Sequence, residues 1–231
     1  MPFRDRTEAG RRLAAALVRF RKDRPTILAL PRGGVPVAAE IATALAAPLD
    51  LLLVRKIGVP QQPELAAGAV VDSDPPIVVR NEDVIVGADV SENDFDRITQ
   101  LEIEEIGRRR ALYLDQRPRA PIEGRTVIVV DDGIATGATM RAALRALRQQ
   151  QPLRVIVATP VAAADTIARL RTEADEIECL EVPSSLGAIG AYYEDFRQVP
   201  DAEVIDRLRT FDAEALHAQR TRRGHPRKRS G

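Results

Sequence analysis

Short apolar runs alternate with amphipathic segments along most of the chain. The apolar runs predict buried strands at Thr26–Leu30, Leu49–Val54, Arg125–Val130, Leu153–Thr159 and Ile177–Val182. Apolar residues at helical spacing predict helices at Thr7–Arg21, Val35–Ala47, Gly137–Gln149 and Ala163–Arg171. This alternation is typical of a parallel sheet with helices on both faces. We therefore predict an α/β fold in which the loops after the strands share one edge of the sheet, where ligands bind.

The middle of the chain departs from this alternation. Its Pro and Gly content predicts a loop at Gly58–Pro63, and two short strands, Gly68–Asp72 and Pro76–Arg80, are expected to form a hairpin. A Ser-x-x-Asp motif that begins at Ser91 has the spacing of a helix cap. It predicts the start of a long charged helix that ends near Leu114.

The charge balance gives no support for a nucleic-acid or membrane surface, because the sequence contains 34 basic and 34 acidic residues. No apolar run approaches the roughly 18 residues that a membrane helix needs, and the charged N-terminus lacks the apolar core of a secretory signal. The single cysteine, Cys179, lies in an apolar stretch and is expected to be a buried, unreactive thiol. These observations predict a cytoplasmic protein.

The C-terminal end differs in composition from the rest. We predict a single domain over residues 1–217, with a helix near Asp201–Leu216, followed by a basic disordered tail at 218–231. A nucleic-acid contact is the less favoured interpretation of this tail.

The segment Val127–Met140 is the strongest indication of chemistry. A buried strand ends in two carboxylates, Asp131 and Asp132, and a short hydroxyl-rich turn then leads into a helix. Two adjacent carboxylates would repel a phosphate, but they suit two neighbouring hydroxyl groups of a sugar. We therefore predict that the two acids bind a polyol.

The turn after the acids has the features of an anion site. Gly133 and Gly137 allow the backbone to approach a ligand closely, and the following helix offers unpaired N–H groups and the positive end of its dipole. Thr136 and Thr139 add hydroxyl donors. Together with the acids, this turn predicts a site for ribose 5-phosphate. Neither the G-x-x-x-x-G-K-[ST] nor the G-x-G-x-x-G phosphate motif is present.

This segment resembles the signature of the type I phosphoribosyltransferases, which bind phosphoribosyl pyrophosphate. The resemblance implies a Rossmann-like parallel sheet with a small hood and a flap. The loop is most similar to the adenine-type version, since Ala135 stands where the hypoxanthine-guanine type has an Asp that acts as a base. Gly133 departs from the aliphatic residue or Ser that is usual in the family, and we expect it to loosen the loop.

Two further segments take on roles through this resemblance. Arg32-Gly33-Gly34 follows the first strand where the family has its pyrophosphate loop, which implies a cis peptide between Pro31 and Arg32. A plain turn would also explain this motif. Lys56, at the expected end of the second strand, would contact pyrophosphate, and solvated charge is the alternative. Residues 58–67 would then form a mobile flap.

The hood is expected at about residues 183–200. Its run from Leu186 to Phe196 is similar to the hypoxanthine-type segment, which implies that one of Tyr192, Tyr193 and Phe196 stacks on a flat base and that Asp195 helps to place Mg²⁺. Tyr193 is the candidate ligand-binding residue among the three. A small cap of the core is an equally favoured interpretation.

The resemblance implies transfer of ribose 5-phosphate from phosphoribosyl pyrophosphate to a nitrogenous base or amine, with release of pyrophosphate. The implied catalytic residues are Asp131, Asp132, Arg32 and Lys56. The implied ligand-binding residues are Gly33, Gly34, Gly133, Ala135, Thr136, Gly137, Ala138, Thr139 and Tyr193. Mg²⁺ is expected at Asp131, Asp132 and Asp195, and a homodimer by family analogy. A non-catalytic sensor of phosphoribosyl pyrophosphate or a nucleotide, with the same fold, is the alternative.

Overall fold

The computed structural model describes residues 1–115 and 117–211, which build a parallel sheet and a smaller antiparallel sheet. The strands are β1 (Thr26–Ala29), β2 (Leu49–Leu51), β3 (Val54–Val59), β4 (Gln62–Val71), β5 (Ile77–Arg80), β6 (Thr126–Val130), β7 (Arg154–Val161) and β8 (Glu176–Glu181). The α-helices are α1 (Arg6–Leu17), α2 (Gly34–Leu45), α3 (Glu82–Gly87), α4 (Glu92–Leu114), α5 (Ala138–Gln149) and α6 (Ala164–Leu170). A further helix spans 201–211, and 3₁₀ turns lie at Val18–Asp23 and Ile189–Tyr192.

The described part of the parallel sheet has the strand order β2-β1-β6-β7-β8. Successive residues of its central strands face opposite helical layers, as the pleat requires. Ile27 and Ile128 pack into the core that includes residues of α1 and α2, whereas Leu28 and Val129 pack into the core that includes residues of α5 and α6. Because both faces are covered, the central strands β1 and β6 are buried at every position. This arrangement confirms the predicted α/β fold class.

The second strand corrects the sequence prediction. We expected one strand over Leu49–Val54, but β2 ends at Leu51 and the chain then leaves the parallel sheet. Val54 begins β3, which pairs antiparallel with β4. Lys56 therefore lies inside a strand of the small sheet and not at the end of the second parallel strand. Apolar periodicity alone could not detect this change, since Leu52 and Leu53 remain buried while the backbone turns away.

The predicted flap at 58–67 is part of a β-hairpin. β3 and β4 run through it with an irregular register at Gly58, so the segment is paired strand around a tight turn rather than a loop. The hairpin predicted from the two short strands is also present, because β4 pairs antiparallel with β5. The short helix α3 was missed. The long helix α4 begins at the predicted cap, where the Ser91 side chain accepts a hydrogen bond from the Asp94 amide.

Two predictions concern the C-terminal end of the chain. The helix expected near Asp201–Leu216 is present over 201–211, and the predicted basic tail lies outside the described residues. Within the described ranges, no helix combines the length and apolar character needed to cross a membrane.

Candidate active site

The loops after β1 and β6 meet at the carboxyl edge of the sheet. These strands are parallel neighbours with Ala29 opposite Val130, and the Leu30 amide donates to the Val130 carbonyl at 2.9 Å. A β-carbon placed on Gly33 would lie 2.1 Å from Oδ2 of Asp132, and one on Gly34 would lie 2.6 Å from the Val130 carbonyl oxygen. Glycine is therefore required at both positions, because only bare backbone fits against the acids.

The peptide between Pro31 and Arg32 is cis, as the resemblance implied. The Arg32 guanidinium lies 3.6 Å from Oδ1 of Asp201, with about a third of its side chain exposed. The loop thus presents one cation beside the two glycines. We call residues 30–35 the pyrophosphate loop, after the role that the resemblance implies for it.

The two acids differ in their surroundings. Asp131 is half-buried, and its Oδ1 accepts a hydrogen bond of 2.9 Å from the Asp132 amide. Burial, and then the neighbouring Asp132 carboxylate, raise the pKa of Asp131 well above its usual range, against the opposing charge of Arg6. The Asp132 side chain is only 13% exposed. Within the described residues, no ion pair engages Asp131, so the two acids differ in that Asp132 alone has an arginine partner.

Asp132 forms an ion pair that no pattern in the sequence predicted. Nε of Arg6 donates to its Oδ2 at 2.6 Å, and the Arg6 side chain is 11% exposed. Arg6 is the first residue of α1, directly after the capping residue Asp5. Acidic residues are favoured in a first helical turn and basic ones are not. A basic residue at the first position of α1 is therefore unusual, and it is the one weak sign in the sequence that Arg6 has a partner elsewhere.

The turn after the acids leads directly into α5. Ala135, Thr136, Ala138 and Thr139 are exposed, and Gly137 takes the left-handed conformation with φ of 75°. A β-carbon on Gly137 would also lie 2.9 Å from Cγ2 of Thr166 in α6. The turn is therefore open to a ligand on one side and fixed by α6 on the other. Backbone N–H groups at this helix start remain available to an anion.

Comparison with known proteins decides the family. The sequence model described as "Phosphoribosyl transferase domain" matches residues 4–196. The chain belongs to this family. The match ends at Phe196 and begins just before Arg6, so it spans both the acids and the residue that pairs with Asp132.

Two curated relatives come from Mycobacterium tuberculosis, strains H37Rv and CDC 1551. They are named "Putative phosphoribosyl transferase Rv0571c" and "Putative phosphoribosyl transferase MT0597", and each is 43% identical over 216 residues. The matches cover 92% of this chain and 48% of each relative, so the chain spans about half their length.

A solved structure has the same fold over nearly its whole length. The crystal structure of TT1426 from Thermus thermophilus is 41% identical to this chain and superimposes with a TM-score of 0.81. The match covers 91% of this chain and 99% of that one. The type I phosphoribosyltransferase fold predicted from the acid segment is confirmed.

Gly133 of the phosphoribosyl transferase domain packs against the hood. A β-carbon there would lie 2.3 Å from Cγ2 of Ile189. We expected this glycine to loosen the loop because it departs from the usual residue of the family. The structure corrects this view, since the missing side chain makes room for a hood residue and the position is buried.

Tyr193 lies in the hood but is not exposed to a ligand. Its ring stacks on Phe196 with centroids 4.9 Å apart and contacts Phe3 at 5.4 Å. Its hydroxyl donates to the Asp132 carbonyl oxygen at 2.6 Å, and burial raises its pKa. This placement corrects the proposed stacking on an acceptor base, because both the ring and the hydroxyl already have partners within the protein.

The three carboxylates expected to hold Mg²⁺ do not converge. Asp195 is paired with its neighbour Arg197 through both oxygens, at 2.7 Å for the shortest contact, which lowers the pKa of Asp195. Asp132 is paired with Arg6. Among the described residues, no group of three or more His, Cys, Asp or Glu side chains could hold a metal ion.

Lys56 reaches the site from the small sheet. Its Nζ lies 3.1 Å from Oε2 of Glu64, which is 99% exposed. A cavity of about 500 Å³ between the small sheet and α5 is lined by Lys56 together with Thr139, Arg141 and other residues. The fold therefore places Lys56 on the same cavity as Thr139 of the turn before α5, although by a different route from the predicted one.

Proposed function

We propose that this chain transfers ribose 5-phosphate from phosphoribosyl pyrophosphate to a nitrogenous base or amine, with release of pyrophosphate. One observation carries the proposal: the acids Asp131 and Asp132, the glycine-lined pyrophosphate loop and the exposed turn before α5 occupy one edge of the sheet. Membership of the phosphoribosyl transferase domain family supports the same reaction.

Each part of the substrate has a matching group. The turn from Ala135 to Thr139 would bind the 5-phosphate through backbone N–H groups and the hydroxyls of Thr136 and Thr139. Asp131, the acid without an arginine partner among the described residues, would accept hydrogen bonds from the ribose hydroxyls. Hydrogen bonds from these hydroxyls favour the ionised carboxylate, so substrate binding would lower the pKa of Asp131 from its raised position.

The leaving group carries most of the negative charge. The bond between C1 of the ribose and the pyrophosphate oxygen breaks with its electron pair on pyrophosphate, while the acceptor nitrogen forms the new bond to C1 and loses a proton. Arg32, Lys56 and the amides of Gly33 and Gly34 would stabilise that developing charge. Fixed placement of these groups lowers the barrier, because little reorganisation is needed during the reaction.

Mg²⁺ would be held mainly by the substrate. The described residues offer no dedicated cation cluster, and Mg²⁺ commonly binds one or two carboxylates together with phosphate oxygens and water. Asp131 is the acid best placed to contribute such a ligand, since Asp132 and Asp195 are engaged by arginines. The ion would neutralise part of the pyrophosphate charge.

Calorimetric titration with phosphoribosyl pyrophosphate and Mg²⁺ tests the binding part of the proposal. Replacing both Asp131 and Asp132 with Ala is expected to abolish measurable binding, whereas Asp165→Ala, which removes an exposed acid of α6, should leave the affinity unchanged. An unchanged affinity in the double variant would refute the assignment.

Release of pyrophosphate across a panel of purine, pyrimidine and amine acceptors tests the transfer. Release with one acceptor class would identify the second substrate. Tight binding of phosphoribosyl pyrophosphate without release for any acceptor would instead favour a non-catalytic sensor with the same fold. The homodimer and the cytoplasmic location remain predictions, which gel filtration and cell fractionation would check.

A further inference from the structure

Arg6 is held in place from several directions. Asp5 caps α1 by accepting a hydrogen bond of 2.8 Å from the Glu8 amide, and this fixes the backbone where Arg6 begins the helix. The Arg6 guanidinium donates through Nε to Oδ2 of Asp132 at 2.6 Å and through Nη1 to the Arg197 carbonyl at 2.9 Å. Such a planar group with two fixed donors keeps a definite orientation.

An aromatic ring completes the enclosure of this guanidinium. Its central carbon lies 4.0 Å from the centroid of the Phe196 ring, within the range of a cation–π contact. Phe196 stacks in turn on Tyr193, whose hydroxyl donates to the Asp132 carbonyl. The side chain and the backbone of Asp132 are thus both fixed by this group of residues.

Arg6 engages only one carboxylate oxygen of Asp132. A carboxylate has two oxygens and about four acceptor sites, and within the described part of the chain no hydrogen bond is made to Oδ1 of Asp132. The ion pair therefore holds Oδ2 of Asp132 in place and leaves acceptor capacity on Oδ1. A ribose hydroxyl can use that oxygen without displacing Arg6.

We propose that Arg6 is a positioning residue for ribose recognition, which orients the Asp132 carboxylate toward a hydroxyl of the sugar. This inference rests on the proposed function. It assigns a role to the N-terminal segment, which links α1, the hood and the acids through Arg6. It also distinguishes the two acids, since Asp132 binds the sugar in an orientation imposed by an arginine and Asp131 does so without one.

Calorimetry with two ligands tests this role on the full chain. Phosphoribosyl pyrophosphate with Mg²⁺ uses both the ribose site and the pyrophosphate loop, whereas inorganic pyrophosphate with Mg²⁺ uses the loop alone. Arg6→Gln is expected to weaken phosphoribosyl pyrophosphate binding about tenfold, equivalent to about 1.4 kcal/mol, and to leave pyrophosphate binding within about twofold. Arg4→Gln is the matched control, since Arg4 is 70% exposed, and should change neither affinity.

A double-mutant cycle shows whether Arg6 acts through Asp132. Arg6→Gln is expected to cause no further loss in a chain that already carries Asp132→Asn. Where Arg6→Gln does not fold, Arg6→Lys replaces it. Lysine keeps the charge but cannot reproduce the two donors and the ring contact, so a loss of about threefold, confined to phosphoribosyl pyrophosphate, is expected.

Several results would overturn the inference. Equal losses for both ligands would make Arg6 a purely structural residue, and tighter binding of phosphoribosyl pyrophosphate by Arg6→Gln would mean that Arg6 competes with the sugar. Unchanged affinity in the variant tested, or a full additional loss in the Asp132→Asn background, would also overturn it. Absence of binding by the unmodified chain would remove the proposed function itself, which distinguishes the two failures.

Discussion

The α-carbon of Gly33 lies against the carboxylate of Asp132, so closely that a β-carbon would be 2.1 Å from Oδ2. The contact joins the loop after β1 to the loop after β6. A substrate with adjacent sugar and pyrophosphate groups would need these two loops to lie side by side. The geometry depends on a residue without a side chain, and it can therefore be tested with a single methyl group.

Gly33→Ala is expected to destabilise the fold by about 1–3 kcal/mol, because the methyl group must displace the acid or the loop. The affinity for phosphoribosyl pyrophosphate should fall with it. Urea denaturation and calorimetry measure the two effects. The control is Gly107→Ala in α4, where a β-carbon meets nothing within 4 Å and stability should rise by up to about 1 kcal/mol. Wild-type behaviour of Gly33→Ala would contradict the packing described.

Asp131→Asn should make the protein more stable at neutral pH while impairing sugar binding. The pKa of Asp131 is raised in the folded protein by burial and by Asp132, so between the unfolded and folded pKa values the native state holds more protons. Stability therefore decreases as the pH rises through that window, and a neutral side chain removes the loss. The stability gain in urea should be larger near pH 8 than near pH 4.

Asp165→Asn controls for the removal of one exposed carboxylate. If Asp131→Asn raised the free energy of unfolding by the same amount at every pH, ionisation of Asp131 would not oppose folding.

Tyr193→Phe is expected to reduce stability by about 1–3 kcal/mol, because the buried Asp132 carbonyl loses its donor at 2.6 Å. Thermal and urea unfolding measure the loss. Tyr192→Phe, at a half-buried neighbouring position, should stay within about 0.5 kcal/mol of the unmodified chain. Full stability of Tyr193→Phe would contradict a stabilising role for this hydrogen bond.

Cys179 should react slowly with alkylating reagents in the folded protein. Burial raises the pKa of its thiol to about 11, so at pH 8 only about a thousandth is thiolate. The rate of iodoacetamide labelling, followed by mass spectrometry, should rise about tenfold per pH unit up to about pH 10. Labelling in denaturing urea provides the reference rate. Cys179 is half-buried rather than buried as the sequence predicted, and fast labelling of the folded chain near pH 8 would contradict its raised pKa.

Some features were already predictable from local sequence. Apolar strands alternating with helices require a parallel sheet, and parallel strands place the loops that follow them at one edge. The acids Asp131 and Asp132 and the pyrophosphate loop were therefore expected to meet before the fold was known. The order of small and polar residues after β6 likewise indicated a turn for an anion, since Gly and Thr serve that purpose in any fold.

Other features could not be predicted, because they depend on residues far apart in the chain. Arg6 and Asp132 are 126 positions apart, and no periodicity links an N-terminal helix to a strand end. Tyr193 was assigned to a ligand because aromatic residues in a hood can stack on a base, but packing against Phe3 and Phe196 buries it. Local pattern does not show which partner an aromatic ring will find.

The sequence by itself determined the parallel sheet, its helical layers and the kinds of residue at its carboxyl edge, since these follow from periodicity and from the types of neighbouring residues. Tertiary structure alone decided that Lys56 enters from a second sheet, that Gly133 makes room for Ile189 and that Arg6 orients an acid. Those outcomes depend on which surfaces come into contact when the chain closes. Contact between distant segments is a property of the packed molecule and leaves no periodic trace in the sequence.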